Sequence, residues 1–399
     1  MYICKFCSKK FKQIHNKCPK CNRWNSLVEK ETAAIGDDDP EFLDDIQVGK
    51  VEKVASGDKE LDYVFDGGYV PGAVYLISGE PGIGKSTLLA QICKNRSKHD
   101  ELVYYFSAEE SKEQVAARMK RLGVEGPVFL SGYNNFLEIE AAVATDGPAL
   151  VVIDSISTIS IGDGEKGSAA SAKEIAARCG KMAEIMKIPV FIIAHITKDG
   201  GIAGPKALEH QVDAVLQFDS DRKSDLRILR SLKNRFGVCP RMGIFRMTGK
   251  GLKAETPVPA ARKLPGSVIG IAYESGRVIP CEIQCLMTVG NGVNQVIGYD
   301  MKRVKMIQAI LAEHLGCKFD TKDMFLNIIG GIDFDDTGLD LPIATAIYSA
   351  YAKKPFDKSY FGELDLTGDV IKVKGEEERI ENAKRFGYKL EKVKNIGDI

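Results

Sequence analysis

From about residue 46, short apolar runs alternate with segments of helix-like periodicity. This is the pattern of successive strand–helix units around a mostly parallel sheet. The runs at 73–78, 102–106, 149–154 and 189–194 read as buried strands, and a helix after the first of them runs from near residue 85 to about residue 94. The segment 161–171 is too polar and glycine-rich for a core and reads as a mobile loop. Residues 257–265, rich in Pro and Ala, suggest a boundary. Beyond it the pattern changes to α+β, with strands at 268–272, 282–289 and near 325–329 and helices at 301–314, 341–352 and 376–386. Ahead of the α/β region, residues 29–45 are acidic and weakly apolar and read as a linker.

The first strand runs into Gly79-Glu80-Pro81-Gly82-Ile83-Gly84-Lys85-Ser86-Thr87, which fits the phosphate-binding pattern G-x-x-x-x-G-K-[ST] between a strand and a helix. Backbone N–H groups and the positive end of the helix hold a triphosphate there, with Lys85 reaching the β- and γ-phosphates and Ser86 ligating Mg2+. The strand at 149–154 closes on Asp154, the acid expected to hold the Mg2+ shell through water or Ser86. The strand at 102–106 leads to Glu109 and Glu110. One of these carboxylates is placed to orient the attacking water, and the other opposes a helix dipole. His195 leaves the sheet where a γ-phosphate sensor or a structural histidine would stand.

Ten cysteines are present, and four fall in the first 21 residues as Cys4-x-x-Cys7 and Cys18-x-x-Cys21. Four thiolates in two knuckles describe a closed, structural Zn2+ site, the alternative being a redox pair. Lys5, Lys9, Lys10, Lys12, Lys17, Lys20 and Arg23 make this module basic, suited to nucleic acid, a protein partner or solvent alone. The other six cysteines read as small core residues.

Charge narrows the partners. The 55 basic and 55 acidic residues cancel, so no global field draws the chain to nucleic acid or a membrane, and any DNA contact is local. With 44% hydrophobic and 28% charged residues, no apolar run long enough to cross a bilayer and no signal-like start, the chain reads as a soluble cytoplasmic protein.

The pentapeptide Lys233-Asn-Arg235-Phe-Gly237 adds a family signal. Together with the four cysteines, the phosphate loop, Asp154 and residues 201–210, it closely resembles the RadA (Sms) family of bacterial DNA-repair proteins over essentially the whole chain. The resemblance implies a RecA-like P-loop ATPase that binds ATP and forms a ring-shaped homo-hexamer on single-stranded and branched DNA. It also implies helicase-like branch migration of recombination intermediates, with a recombinase and a replicative helicase as partners. It makes Glu109 the water-orienting base and puts Lys233 and Arg235 at the subunit boundary as cationic fingers. It further has the loops 161–171 and 198–210 grip DNA through Lys166, Lys173, Lys198 and Lys206.

The C-terminal part resembles the proteolytic domain of the Lon family, with departures. Asp336 to Pro342 offers no serine, and Glu376 stands where a lysine is expected, so the Ser-Lys pair needed for peptide hydrolysis is missing. The organisation expected is therefore a zinc finger at 1–28, a linker at 29–45, a RecA-like α/β ATPase at 46–256 and a proteolytically inactive, Lon-like α+β domain at 257–399. A nucleotide switch for protein partners and an ATP-dependent protease are the rival functions.

Overall fold

In a computed structural model, residues 2–4, 6–7, 9–24, 26–29, 51–162, 164, 166–195, 208–220, 226–256 and 258–399 are described. Lys198, Lys206, the His195 side chain and all of the expected linker except Glu29 lie outside them. The chain forms two units, Met1–Lys50 and Val51–Ile399.

In the first unit, β1 (Tyr2–Cys4), β2 (Lys10–Phe11) and β3 (Leu27–Glu29) form an antiparallel sheet in the order β2-β1-β3. Its small core is Cys4, Cys18 and Leu27, which buries little apolar surface for a module this size.

The second unit begins with α1 (Lys59–Val64), whose first N–H groups are capped by the Asp58 carboxylate. Then follow β4 (Val74–Gly79), α2 (Lys85–Ser97), β5 (Val103–Ser107), α3 (Lys112–Arg121), β6 (Val128–Ser131) and α4 (Phe136–Asp146). After these come β7 (Leu150–Asp154), α5 (Ala169–Met186), β8 (Val190–His195), β9 (Ala214–Ser220), β10 (Leu226–Asn234), β11 (Arg241–Thr248) and β12 (Gly251–Ala254). The strands form one nine-stranded sheet in the order β12-β11-β10-β9-β4-β8-β7-β5-β6.

Strand alternation explains why helices cover both faces. Tyr75, Ile77, Val103, Tyr105, Val152, Phe191 and Ile193 enter one core with Leu88, Ile92 and Met119 of α2 and α3. Their neighbours Val74, Leu76, Phe106, Val151, Ile153 and Ile192 enter the opposite core with Ile139, Val143, Ile175 and Met182 of α4 and α5. Strands buried on both sides have to be apolar throughout, which is why the runs were readable. The sheet is parallel from β9 to β6, in keeping with the mostly parallel sheet expected, although β6 and β9 were not among the strands read from the sequence. Beyond β9 it continues through the antiparallel strands β10, β11 and β12, which the periodicity did not announce.

The expected loop at 161–171 is shorter than read. Ser168 caps α5, which starts at Ala169, so Lys173 stands on a helix.

The remainder comprises β13 (Ser267–Glu274), β14 (Arg277–Val289), β15 (Asn294–Ile297), α6 (Met301–Leu315), β16 (Lys322–Ile329), α7 (Asp340–Ala352) and β17 (Ser359–Tyr360). The hairpin β18 (Glu363–Leu364) and β19 (Val370–Ile371) and the helix α8 (Glu376–Arg385) complete it. Its five-stranded sheet runs β15-β16-β14-β13-β17, and its core takes in Leu226, Ile228, Met242 and Ile244 from β10 and β11. The two sheets therefore share an apolar core. Polar ties add to it: the Tyr63 hydroxyl donates to the Gly276 carbonyl at 2.7 Å, and Arg277 pairs with Glu60.

Candidate functional site

At the carboxyl end of β4 the chain turns through Gly79–Gly84 into α2. Gly84 has φ +121°, a backbone conformation that favours glycine. Gly84 is also the N-cap of α2 and offers no side chain to the first-turn N–H groups, which suits them to an anion.

Lys85 is 4% exposed, and its ammonium donates to the carbonyls of Gly79 at 2.8 Å and Glu80 at 3.0 Å. Burial pushes its pKa down to about 8 against the opposing pull of the Asp154 and Glu109 carboxylates. Arg227 of β10 donates through Nε to the Ile83 carbonyl at 3.2 Å and so braces the loop from the side.

One strand, β8, separates β4 from β7, and the register puts Ser107 beside Asp154 at the ends of β5 and β7. Asp154 is buried, which raises its pKa, while hydrogen bonds from Tyr105 and Ser86 oppose that shift. The contact between Ser86 and Asp154 brings the two expected Mg2+ residues together, and their hydroxyl and carboxylate are the hard oxygen donors that this ion takes. The phosphate loop, Lys85, Ser86 and Asp154 thus converge at one end of the sheet.

The two neighbouring acids separate. Glu110 accepts at both carboxylate oxygens, at 2.5 and 2.6 Å, from the single Nη2 of Arg118 of α3, the helix-side role. Glu109 is exposed and acts electrostatically on Lys85 and Asp154.

Lys233 and Arg235 lie elsewhere. Gly79 pairs with Phe218 and Phe218 with Leu229, while Asn234 pairs with Ala214 at the opposite end of the sheet. The Arg235 N–H donates to the Asp213 carbonyl, five residues before Phe218, which puts Arg235 about 17 Å along the sheet from its own phosphate loop. Arg235 is 57% exposed and is tied at 3.0 Å to Asp213, which also accepts from the Val74 N–H at the amino end of β4. Lys233 is turned inward, donating to the carbonyls of Glu209 at 2.6 Å and Val212 at 2.7 Å, and burial lowers its pKa. Lys166 is exposed on a turn, and Lys173 is exposed on α5.

Sequence reasoning missed Tyr105 and Arg227. The alternation through Tyr104, Tyr105 and Phe106 signals that Tyr105 faces the side of α2, and nothing local singles out Arg227.

In the first unit, Cys4, Cys7, Cys18 and Cys21 place their sulfurs within 4.8 Å of one another. Cys4–Cys21 and Cys7–Cys18 are 3.6 Å apart, close to the ~3.8 Å edge of a tetrahedron with Zn–S bonds of about 2.3 Å. The donor set fits zinc, which would cross-link the two knuckles.

In the C-terminal part, the segments compared with Lon hold ion pairs. Arg303 binds Asp340 at 2.6 and 2.8 Å and Glu363 at 2.8 Å, and the fully buried Arg379 binds Asp336 at 2.6 and 2.9 Å. These acids are neutralised by arginine, and Glu363 also accepts from the Thr337 hydroxyl at 2.7 Å.

A phosphate loop at a strand end, a lysine within it, an acid two strands away and an acid beyond the next strand define a P-loop ATPase with a RecA-like fold. The family described as AAA domain matches residues 40–201, and that described as subunit ChlI of Mg-chelatase matches residues 286–390. DNA repair protein RadA of Streptococcus pyogenes serotype M1 is 35% identical over 412 residues, covering 97% of this chain and 90% of that protein. DNA repair protein RadA of Bacillus subtilis (strain 168) is 35% identical over 416 residues, covering 97% and 91%. The chain belongs to the RadA family of DNA repair proteins. A solved KaiC-like protein from Pyrococcus horikoshii OT3 covers 52% of the chain at 19% identity and a TM-score of 0.44. Among the described residues, no helix is long and apolar enough to cross a membrane.

Proposed function

We propose that the protein is a DNA-dependent ATPase that assembles as a ring-shaped hexamer and drives branch migration of recombination intermediates in a helicase-like manner. The observation that carries this reading is the position of Arg235, exposed and about 17 Å along the sheet from its own phosphate loop. A cation so placed serves a nucleotide held by a neighbouring subunit, which ties hydrolysis to assembly. In this reading Arg235 is the finger, and Lys233, bound to main-chain carbonyls, positions the segment that carries it.

Within one subunit, α2 and the loop N–H groups bind the phosphates of ATP. Lys85 leaves the Gly79 and Glu80 carbonyls for the β- and γ-phosphate oxygens, and Glu109 orients the attacking water. Ser86 and Asp154 would hold Mg2+, which would supply charge neutralisation for the phosphates.

Single-stranded and branched DNA are the proposed substrates, held by Lys166, Lys173, Lys198 and Lys206. A recombinase and a replicative helicase are the proposed protein partners. The proposed division is a zinc finger at 1–28, a linker at 29–45, the ATPase at 46–256 and a Lon-like scaffold at 257–399.

The test is the ATPase rate with and without single-stranded DNA. Stimulation by DNA that disappears in Lys85→Ala supports the motor. A wild-type rate indifferent to DNA contradicts it.

A further inference from the structure

Residues 1–28 carry the seven basic side chains named above and no Asp or Glu. The chain's formal charge is zero, so its N-terminal module holds a surplus of seven positive charges that the rest of the protein balances. The same module exposes two large rings, Phe6 at 59% and Trp24 at 68%. Each ring already carries a cation: the Arg23 guanidinium lies 4.3 Å from the Phe6 centroid, and the Lys17 ammonium 5.6 Å from that of Trp24. The array is held by the metal knuckle itself. Lys17 and Trp24 form an antiparallel bridge, and the Cys18 N–H donates to the Arg23 carbonyl at 2.9 Å.

We propose that this aromatic–cation array on the zinc module is a binding surface for single-stranded polynucleotide, with bases stacking on Trp24 and Phe6 and phosphates met by Lys17, Arg23 and the neighbouring lysines. Cationic grooves combined with exposed rings bind single strands with little sequence preference, because every base presents a π-face and every linkage a charge. An acidic protein surface would satisfy the charges but leave two cation-bearing rings without an apolar socket. A nucleotide supplies a flat face and a phosphate together. The inference uses none of the lysines assigned to the ring and does not rest on the motor reading.

Trp24 is the only tryptophan in the chain, so emission of the full-length, zinc-loaded protein under excitation selective for tryptophan over tyrosine reports on this module alone. The experiment titrates that protein, without ATP, with a 20-residue oligothymidylate at several salt concentrations. Parallel arms use an abasic oligomer of the same length and poly-glutamate.

Saturable quenching by the oligothymidylate, weakened by salt and absent with the abasic oligomer, supports the proposal. In the double variant Lys17→Ala, Arg23→Ala, the slope of log K against log salt should fall by about 1.4, at ~0.7 for each phosphate that is no longer neutralised, with zinc content unchanged. The comparison of base-bearing with abasic strands decides the matter even if that variant loses its metal. Equal quenching by the abasic oligomer or by poly-glutamate overturns the proposal in favour of an acidic polymer or protein. An unchanged emission also overturns it, including when a labelled oligonucleotide shows that DNA binds elsewhere on the chain.

Discussion

The hydroxyl of Tyr105 donates a 2.6 Å hydrogen bond to the Oδ2 of Asp154, linking the interior of β5 to the acid that closes β7. Both residues are buried, and the bond fixes which way the carboxylate faces Ser86. In Tyr105→Phe the carboxylate loses a charge-assisted partner worth about 1.5 kcal/mol or more. We expect kcat/KM for ATP to fall about tenfold and half-maximal rate to need more Mg2+, with the circular dichroism spectrum unchanged. A Mg2+ titration of the ATPase checks this. An unaltered Mg2+ requirement would show that Asp154 is held by other means.

Lys85 links nucleotide binding to protons. Its folded pKa of about 8 lies below the ordinary 10.5, so between those values the nucleotide-free folded state binds fewer protons than the unfolded one. This residue's contribution to stability therefore rises with pH across that window. A bound triphosphate restores the charge. At pH 8, binding should take up about half a proton, read by calorimetry in buffers of different ionisation enthalpy. Uptake should vanish in Lys85→Ala.

Subunit mixing separates action on a neighbour from action within one chain. Arg235→Ala subunits retain an intact phosphate loop, and Lys85→Ala subunits retain an intact finger. Each alone should be nearly inactive, and mixtures should recover part of the ATPase activity. Failure to recover would mean that Arg235 works only within its own subunit, through the Asp213 pair.

The C-terminal part depends on a buried charge. Arg379 is fully buried, and Arg379→Ala leaves Asp336 without its bidentate partner at a cost of about 3–5 kcal/mol. We expect a lower Tm by differential scanning calorimetry. A Tm within experimental error of the wild type would show that the pair adds nothing.

The parts legible in the sequence were those whose chemistry is local. The phosphate loop, Asp154 and the four cysteines are contiguous motifs, and the doubly buried strands β4, β5, β7 and β8 are continuous apolar runs. Strands β10 and β11 were not legible, because Arg227, Arg230, Lys233, Arg241 and Arg246 interrupt their apolar positions and a bulge between Ser231 and Lys233 breaks the alternation. The roles of Tyr105 and Arg227 come from strand register, which no local pattern encodes. Lys233 and Arg235 looked equivalent two residues apart. Only the fold turns one toward main-chain carbonyls and leaves the other largely in solvent.

The most direct measurement is branch migration of a synthetic three-strand DNA intermediate by the purified protein, with ATP and with a non-hydrolysable analogue. The account predicts strand movement with ATP, none with the analogue and none for Lys85→Ala under either condition. Equal movement with the analogue, or no movement by a wild-type protein that hydrolyses ATP on the same DNA, would contradict it.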